Sequence, residues 1–204
     1  MPSRSILDWL RVRVPQLEEM EHAHSRVGGP ERGRRYATRQ INHAYAVLLS
    51  SQFQGFCRDL HSECIDYVSA CVQPPKGTSG TDIQRIVKRE LLARRFLDTG
   101  NPSPGNIGAD FNRFGLDFWA AVKTADWRNA RRQGALEELN HWRNAIAHQD
   151  FGPVNLGGGR AFEFDSYLSI VEVRKRRSAC AGLAVTFDAV MERRITALTG
   201  SNPW

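Results

Sequence analysis

Apolar residues in this chain recur at steps of three and four along most of its length, and hardly anywhere at steps of two. That spacing places side chains on one face of a helix, so the chain reads as helical throughout. Ile6, Leu7, Leu10, Val14 and Leu17 predict a first helix or helix pair from about Ser5 to Ser25, kinked or restarted by Pro15 and closed by Gly28-Gly29-Pro30. From Arg34 to Val72 there is no proline and only Gly55, while Phe53, Cys57, Leu60, Cys64, Tyr67 and Cys71 alternate four- and three-residue steps. A long helix is predicted there. The turn-rich run Gln73 to Gly80 breaks it.

Thr81 is placed to cap a helix with Ile83, Ile86, Val87, Leu91 and Leu92, ended by Thr99-Gly100-Asn101-Pro102-Ser103-Pro104-Gly105. A shorter helix is expected around Phe111 to Val122, and another from Gly134 to Gln149, stopped by Phe151-Gly152-Pro153. Gly157-Gly158-Gly159 reads as a loop beside a short extended piece at Ala161 to Phe164, and Asp165 as the cap of a last helix toward Leu198. Helices joined by such turns predict an all-α fold, an antiparallel multi-helix bundle. Nothing marks a second domain, so residues 1–204 are expected to form one, with a core at about 34–198 and residues 1–30 as a helical extension.

Composition adds direction. Lys plus Arg is 28 against 22 Asp plus Glu, a net charge of +6, which permits a polyanionic partner without requiring one. The cysteines at 57, 64 and 71 are spaced by seven, and Cys180 stands alone. Without a C-x-x-C pair, they read as small apolar residues on a buried stripe. No run has the length and apolar character of a signal peptide or a membrane span, so a cytoplasmic protein with no membrane partner is expected.

The segment with chemical potential is Glu138 to Asp150, where Arg143 and His148 are separated by four residues. A guanidinium can hold phosphate oxygens in a fork, and an imidazole can exchange a proton near neutral pH. On an ideal helix at about 100° per residue, Ala135, Leu139, Trp142 and Ile146 form an apolar stripe, with Asn140, Asn144 and His148 near the opposite face. Arg143 stands about 140° from His148, so its side chain must reach around or the helix must loosen. His141 shares the face of His148 and is placed to line the same cleft. On spacing alone, the plain reading is a surface cation and a helix-terminal histidine favoured by the helix dipole.

Arg143-Asn144-Ala145-Ile146-Ala147-His148 resembles the R-x(4-6)-H signature of HEPN domains, all-helical modules that include many prokaryotic toxin and defence ribonucleases. Gln40 to Phe56 resembles the long early helix of the RiboL-PSP-HEPN subgroup, with Gln54 where that subgroup often has a carboxylate. The resemblance implies a metal-independent RNA endonuclease that needs no cofactor. In it, His148 is the general acid or base, Arg143 binds the scissile phosphate, and Asn144 orients His148 or the phosphate by hydrogen bonding. It also implies a homodimer that pools two Arg/His pairs in one cleft, and an antitoxin or other regulatory protein as a further partner. The alternatives are a HEPN-type module that binds RNA or a protein without cutting, and a purely structural helical domain.

Other groups carry less. His22 and His24, with Glu18 or Glu21, point apart on a helix and do not make a metal site. His43 and His61 read as helix-borne imidazoles. The basic clusters Arg32/Arg34/Arg35, Arg128/Arg131/Arg132 and Arg174 to Arg177 read first as solvated faces, with Arg131 and Arg132 the pair expected to contact RNA phosphates if the protein cuts RNA. Phe114, Phe118, Trp119 and Trp142 read as core, and the Gly157 triplet lacks the context of a phosphate loop.

Overall fold

The computed structural model describes residues 1–28, 35–74, 80–157, 160–164 and 167–204. The chain opens with α1 (Arg4–Asp8), a π turn (Trp9–Arg13) and α2 (Val14–Gly28). The long helix α3 (Arg35–Cys71) follows, then α4 (Gly80–Leu92), α5 (Phe96–Thr99), α6 (Pro104–Phe111) and a 3-10 turn (Asn112–Phe114). After α7 (Phe118–Ala125) and α8 (Asn129–His148) come two short strands, β1 (Val154–Gly157) and β2 (Arg160–Phe162), and the closing helix α9 (Ile170–Thr199). The fold is an all-α multi-helix bundle. Its one small sheet among the described residues is an antiparallel hairpin with Val154 opposite Phe162 and Asn155 opposite Ala161.

The bundle is organised around α3, against which α2, α8 and α9 pack, while α8 and α9 lie on each other. The predicted stripe of α3 faces inward: Phe53, Cys57, Leu60 and Cys64 are fully buried, and Tyr67 and Cys71 are half-buried. Cys57, Cys64 and Cys180 are free thiols in apolar surroundings, and burial pushes all three up in pKa. The aromatic centre is Phe111 stacked on Phe118 at 4.6 Å, with Phe187 edge-on to Phe118 at 4.8 Å. Trp119 lies against the same Phe187 and donates its indole N–H to the Pro104 carbonyl at 2.7 Å. Ile6, Trp9 and Leu17 enter the same core, so the first helices share it.

The boundaries depart from the sequence pattern where local chemistry intervenes. Pro15 does not break its helix. The π turn just ahead of it, closed by the Val14 N–H on the Trp9 carbonyl, loosens the winding where a proline ring would crowd the preceding turn. The helix after Thr81 stops at Leu92 rather than near Thr99, because Arg94 is left-handed (φ 55°) and α5 begins afresh. Asp110, buried, accepts the first free N–H groups of α5 from Phe96 (2.9 Å) and Leu97 (2.8 Å).

The single helix expected over Phe111 to Val122 is two. Gly115 (φ 73°) turns the chain between them, and Asp117 caps α7 by accepting the Ala120 N–H. Helix α8 starts at Asn129, five residues before Gly134, which sits inside it. The cap of α9 is Ser169, whose hydroxyl accepts the Glu172 N–H, and Asp165 lies outside the described residues. Gly29, Pro30, Arg32, Arg34, Pro75 to Ser79, Gly158 and Gly159 also lie outside them.

Among the described helices, none is long and apolar enough to cross a membrane. The Arg174 to Arg177 run is paired rather than free. Arg174 and Arg177 meet Glu21, Lys175 meets Glu172, and Arg176 bridges Glu138 and Glu172. Glu21, which also accepts the Tyr45 hydroxyl, is thereby engaged in tying α2 to α3 and α9.

Candidate active site

Helix α8 ends through its own backbone. Gln149 adopts the left-handed conformation (φ 54°) and returns its N–H to the Ala145 carbonyl, and the Asp150 N–H reaches the same oxygen at 3.1 Å. The helix therefore stays regular through His148 and stops before Phe151-Gly152-Pro153, without the loosening that was one way to bring Arg143 and His148 together. A left-handed non-glycine residue costs about 1 kcal/mol. The reversal carries Asp150 back beside the last turn.

The chain after this turn builds a wall over the C-terminal half of α8. Phe162 of β2 stacks on the His141 ring at 5.1 Å, and Phe164 meets Trp142 edge-on at 4.9 Å. Phe151 packs on His43 of α3 at 5.8 Å. Burial, helped by the charge of Arg39, lowers the pKa of His43 and keeps it neutral behind this wall. Between wall and helix lies a cavity of about 400 Å³, lined among others by His141, Asn144, His148, Asp150 and Phe164.

His148 is exposed, and its ring has no hydrogen-bond partner among the described residues. His141 is half-buried, with Nε2 enclosed and unpartnered. The two imidazoles share one cavity, as their seven-residue spacing implies. Arg143 does not line it. Its Nη1 instead donates to Asn144 Oδ1 at 3.2 Å, so the guanidinium bends around the helix toward the His148 face. Asn144 also accepts from Asn101 Nδ2 at 2.5 Å. Asn144 thus holds Arg143 and makes no bond to His148.

Asn140 departs from its expected position. It is buried, and its amide donates to the Pro102 carbonyl (3.0 Å) and to the Leu136 carbonyl (2.8 Å). The face of α8 assigned to solvent at this level is covered by the loop before α6, which offers polar partners instead of apolar ones. Ala135 is half-buried, and Leu136 takes its place in the core.

Gln54 serves the fold as a donor. Its amide donates to the carbonyls of Leu97 (2.7 Å) and Gly100 (2.8 Å), at the start of the loop that carries Asn101 and Pro102. A carboxylate there would have no proton to give.

Arg131 and Arg132 lie near the other end of α8, about 25 Å from His148 along the helix axis. They do not join the His148 cavity. Arg132 is occupied by Asp126 (2.9 Å) and Asn129 Oδ1 (2.7 Å) and lies against Gly182 of α9, so its donors serve the fold. Arg131 is exposed.

Two residues of the site escape a reading by spacing. Asp150 enters through the left-handed turn at Gln149, and Asn101 comes from a loop some forty positions upstream. The result is an imidazole open to a ligand, a carboxylate in the same cavity, and a guanidinium tethered at its edge. That set can exchange a proton and hold an anion. Comparison with family models, curated proteins and solved structures gives no match. The protein is an all-α bundle with a cavity at the end of a late helix.

Proposed function

We propose that the protein is a metal-independent RNA endonuclease of HEPN type, acting as a toxin or in anti-phage defence. The observation that carries the reading is the exposed, unpartnered His148 imidazole in a cavity beside Asn144, to which the Arg143 guanidinium is drawn. His148 takes the proton of a ribose 2′-hydroxyl as that oxygen attacks the adjacent phosphorus. The bond from phosphorus to the 5′-oxygen breaks, the 5′-oxygen takes a proton from water as it leaves, and a 2′,3′-cyclic phosphate remains. Arg143 offsets the charge that grows on the phosphoryl oxygens. His141 contributes its ring face to the cavity wall.

A homodimer would bring two such sites together, and a regulatory protein or antitoxin would restrain them. Arg143 lies at the edge of the cavity rather than in its lining, which also suits a HEPN-type module that binds RNA without cutting it. One assay separates the two. RNA is incubated with the protein in excess chelator, and wild type is compared with His148→Ala and Arg143→Ala. The endonuclease predicts cyclic-phosphate ends that disappear in both variants; cleavage that persists in both, or that needs added metal, rules it out.

A further inference from the structure

The turn between α7 and α8 presents Trp127 with 82% of its surface exposed and no ring packed on it among the described residues. A bare indole on a surface is costly to leave in water, and this one borders a second cavity of about 770 Å³ between α8 and α9. The cavity is basic, but most of its cations are committed. Arg128 and Arg132 hold Asp126, Lys175 holds Glu172, and Arg176 bridges Glu138 and Glu172. Arg131 is different, since it lines the cavity, is exposed, and forms no ion pair among the described residues.

An open aromatic face beside one unspent guanidinium fits one nucleobase and one phosphate. The size agrees, as cavities of about 300–1,000 Å³ hold ligands of this class. Placement then decides between a free nucleotide and a strand. Arg131, Ala135 and Glu138 line this cavity, and His141, Ala145 and His148 line the first. These positions follow one another at steps of three and four, so the two cavities adjoin along α8, with Arg131 and His148 at the far ends about 25 Å apart along the axis and about 100° apart around it.

We infer that this face of α8 is a track for single-stranded RNA, with Trp127 stacking a base and Arg131 holding a phosphate at the end remote from His148. This rests on the RNA reading above but not on cleavage. A track of this kind is expected to take about four or more nucleotides.

The test uses the full chain and short, fluorescently labelled 2′-O-methyl oligouridine, which lacks the 2′-hydroxyl needed for cutting. Binding is read by anisotropy at low salt. Trp127→Ala and Arg131→Ala are expected to bind about tenfold more weakly than wild type, and Trp127→Phe to keep most of the affinity. Arg131→Ala should also flatten the salt dependence by about 0.7 in logarithmic slope. Both side chains are exposed, so near-identical thermal unfolding of the variants is expected and is measured alongside.

Wild-type affinity in both alanine variants overturns the track. Equal binding of uridine monophosphate and the oligomer overturns it in favour of a nucleotide pocket. Preference for duplex over single strand, with no effect of Trp127→Ala, overturns the stacking role. Loss of cleavage in the earlier assay leaves each of these results unchanged, so the two readings fail separately.

Discussion

Asn101 donates its side-chain amide to Asn144 Oδ1 at 2.5 Å, and the same oxygen receives the Arg143 guanidinium at 3.2 Å. A loop distant in sequence therefore helps fix where Arg143 points.

Asn101→Ala removes one anchor of that oxygen without touching any group proposed to meet RNA. We expect stability to fall by about 1 kcal/mol, the net worth of one hydrogen bond. We expect cleavage to fall tenfold or more, since small displacements of a positioned charge cost about that much or more. Single-turnover cleavage and urea unfolding, measured on one preparation, check both. Unchanged cleavage would leave Asn101 with a structural role only.

Gln54→Glu puts an acceptor where the amide now donates, and it should harm this chain. Two carbonyls, of Leu97 and Gly100, would face a carboxylate in place of an amide donor. A destabilisation of about 1–3 kcal/mol is expected at pH 7, shrinking as the pH falls and the carboxyl gains a proton it can donate. Urea midpoints at pH 7 and pH 5 give the answer, and a midpoint equal to wild type at pH 7 would refute the assignment.

His61 gives the fold a pH dependence. The ring is fully buried against Phe111 and Phe114, with Nε2 3.1 Å from the Asp110 carbonyl, and burial lowers its pKa to about 4. In the unfolded chain the group titrates near 6.5. Below that value the unfolded state takes up a proton that the folded state refuses until pH 4, so stability is intact above pH 6.5 and drains as the pH falls toward 4. The loss attributable to this ring approaches about 3 kcal/mol at pH 4. His61→Gln removes the titration. Its unfolding free energy, compared with wild type from pH 7.5 to 4.5, should fall less steeply, and parallel curves would refute the assignment.

Trp9→Ala tests whether the first helices belong to the core. The indole is fully buried between Phe53 (5.8 Å) and Phe56 (5.7 Å). A loss of about 3–5 kcal/mol is expected in chemical denaturation, with one cooperative transition retained. A loss below 1 kcal/mol would mean that this segment is an appendage.

The helices that the sequence foretold best are those with long stripes, α3 and α9, because apolar spacing repeated over many turns leaves little choice of face. The break between α6 and α7 was hidden, since apolar residues flank Gly115 on both sides and its left-handed turn is a single-residue decision. Asn140 misled because a buried amide looks, by type, like a surface one; its burial depends on the Pro102 carbonyl arriving from elsewhere. For the candidate site, spacing sufficed to put His141 and His148 on one side of α8. It was silent on Asp150 and Asn101, which depend on a backbone reversal and a tertiary contact. The bend of Arg143 toward Asn144 belongs to side-chain geometry that no periodicity encodes.

The π turn at Trp9–Arg13 acts as a phase shifter. Trp9 and Leu17 are eight residues apart, which on an unbroken α-helix would leave them about 80° out of line. The wider turn absorbs one residue and with it most of that angle, and both side chains end at 0% exposure. Forced into ordinary winding at the same length, the segment would set its two anchors at opposite edges of the buried face.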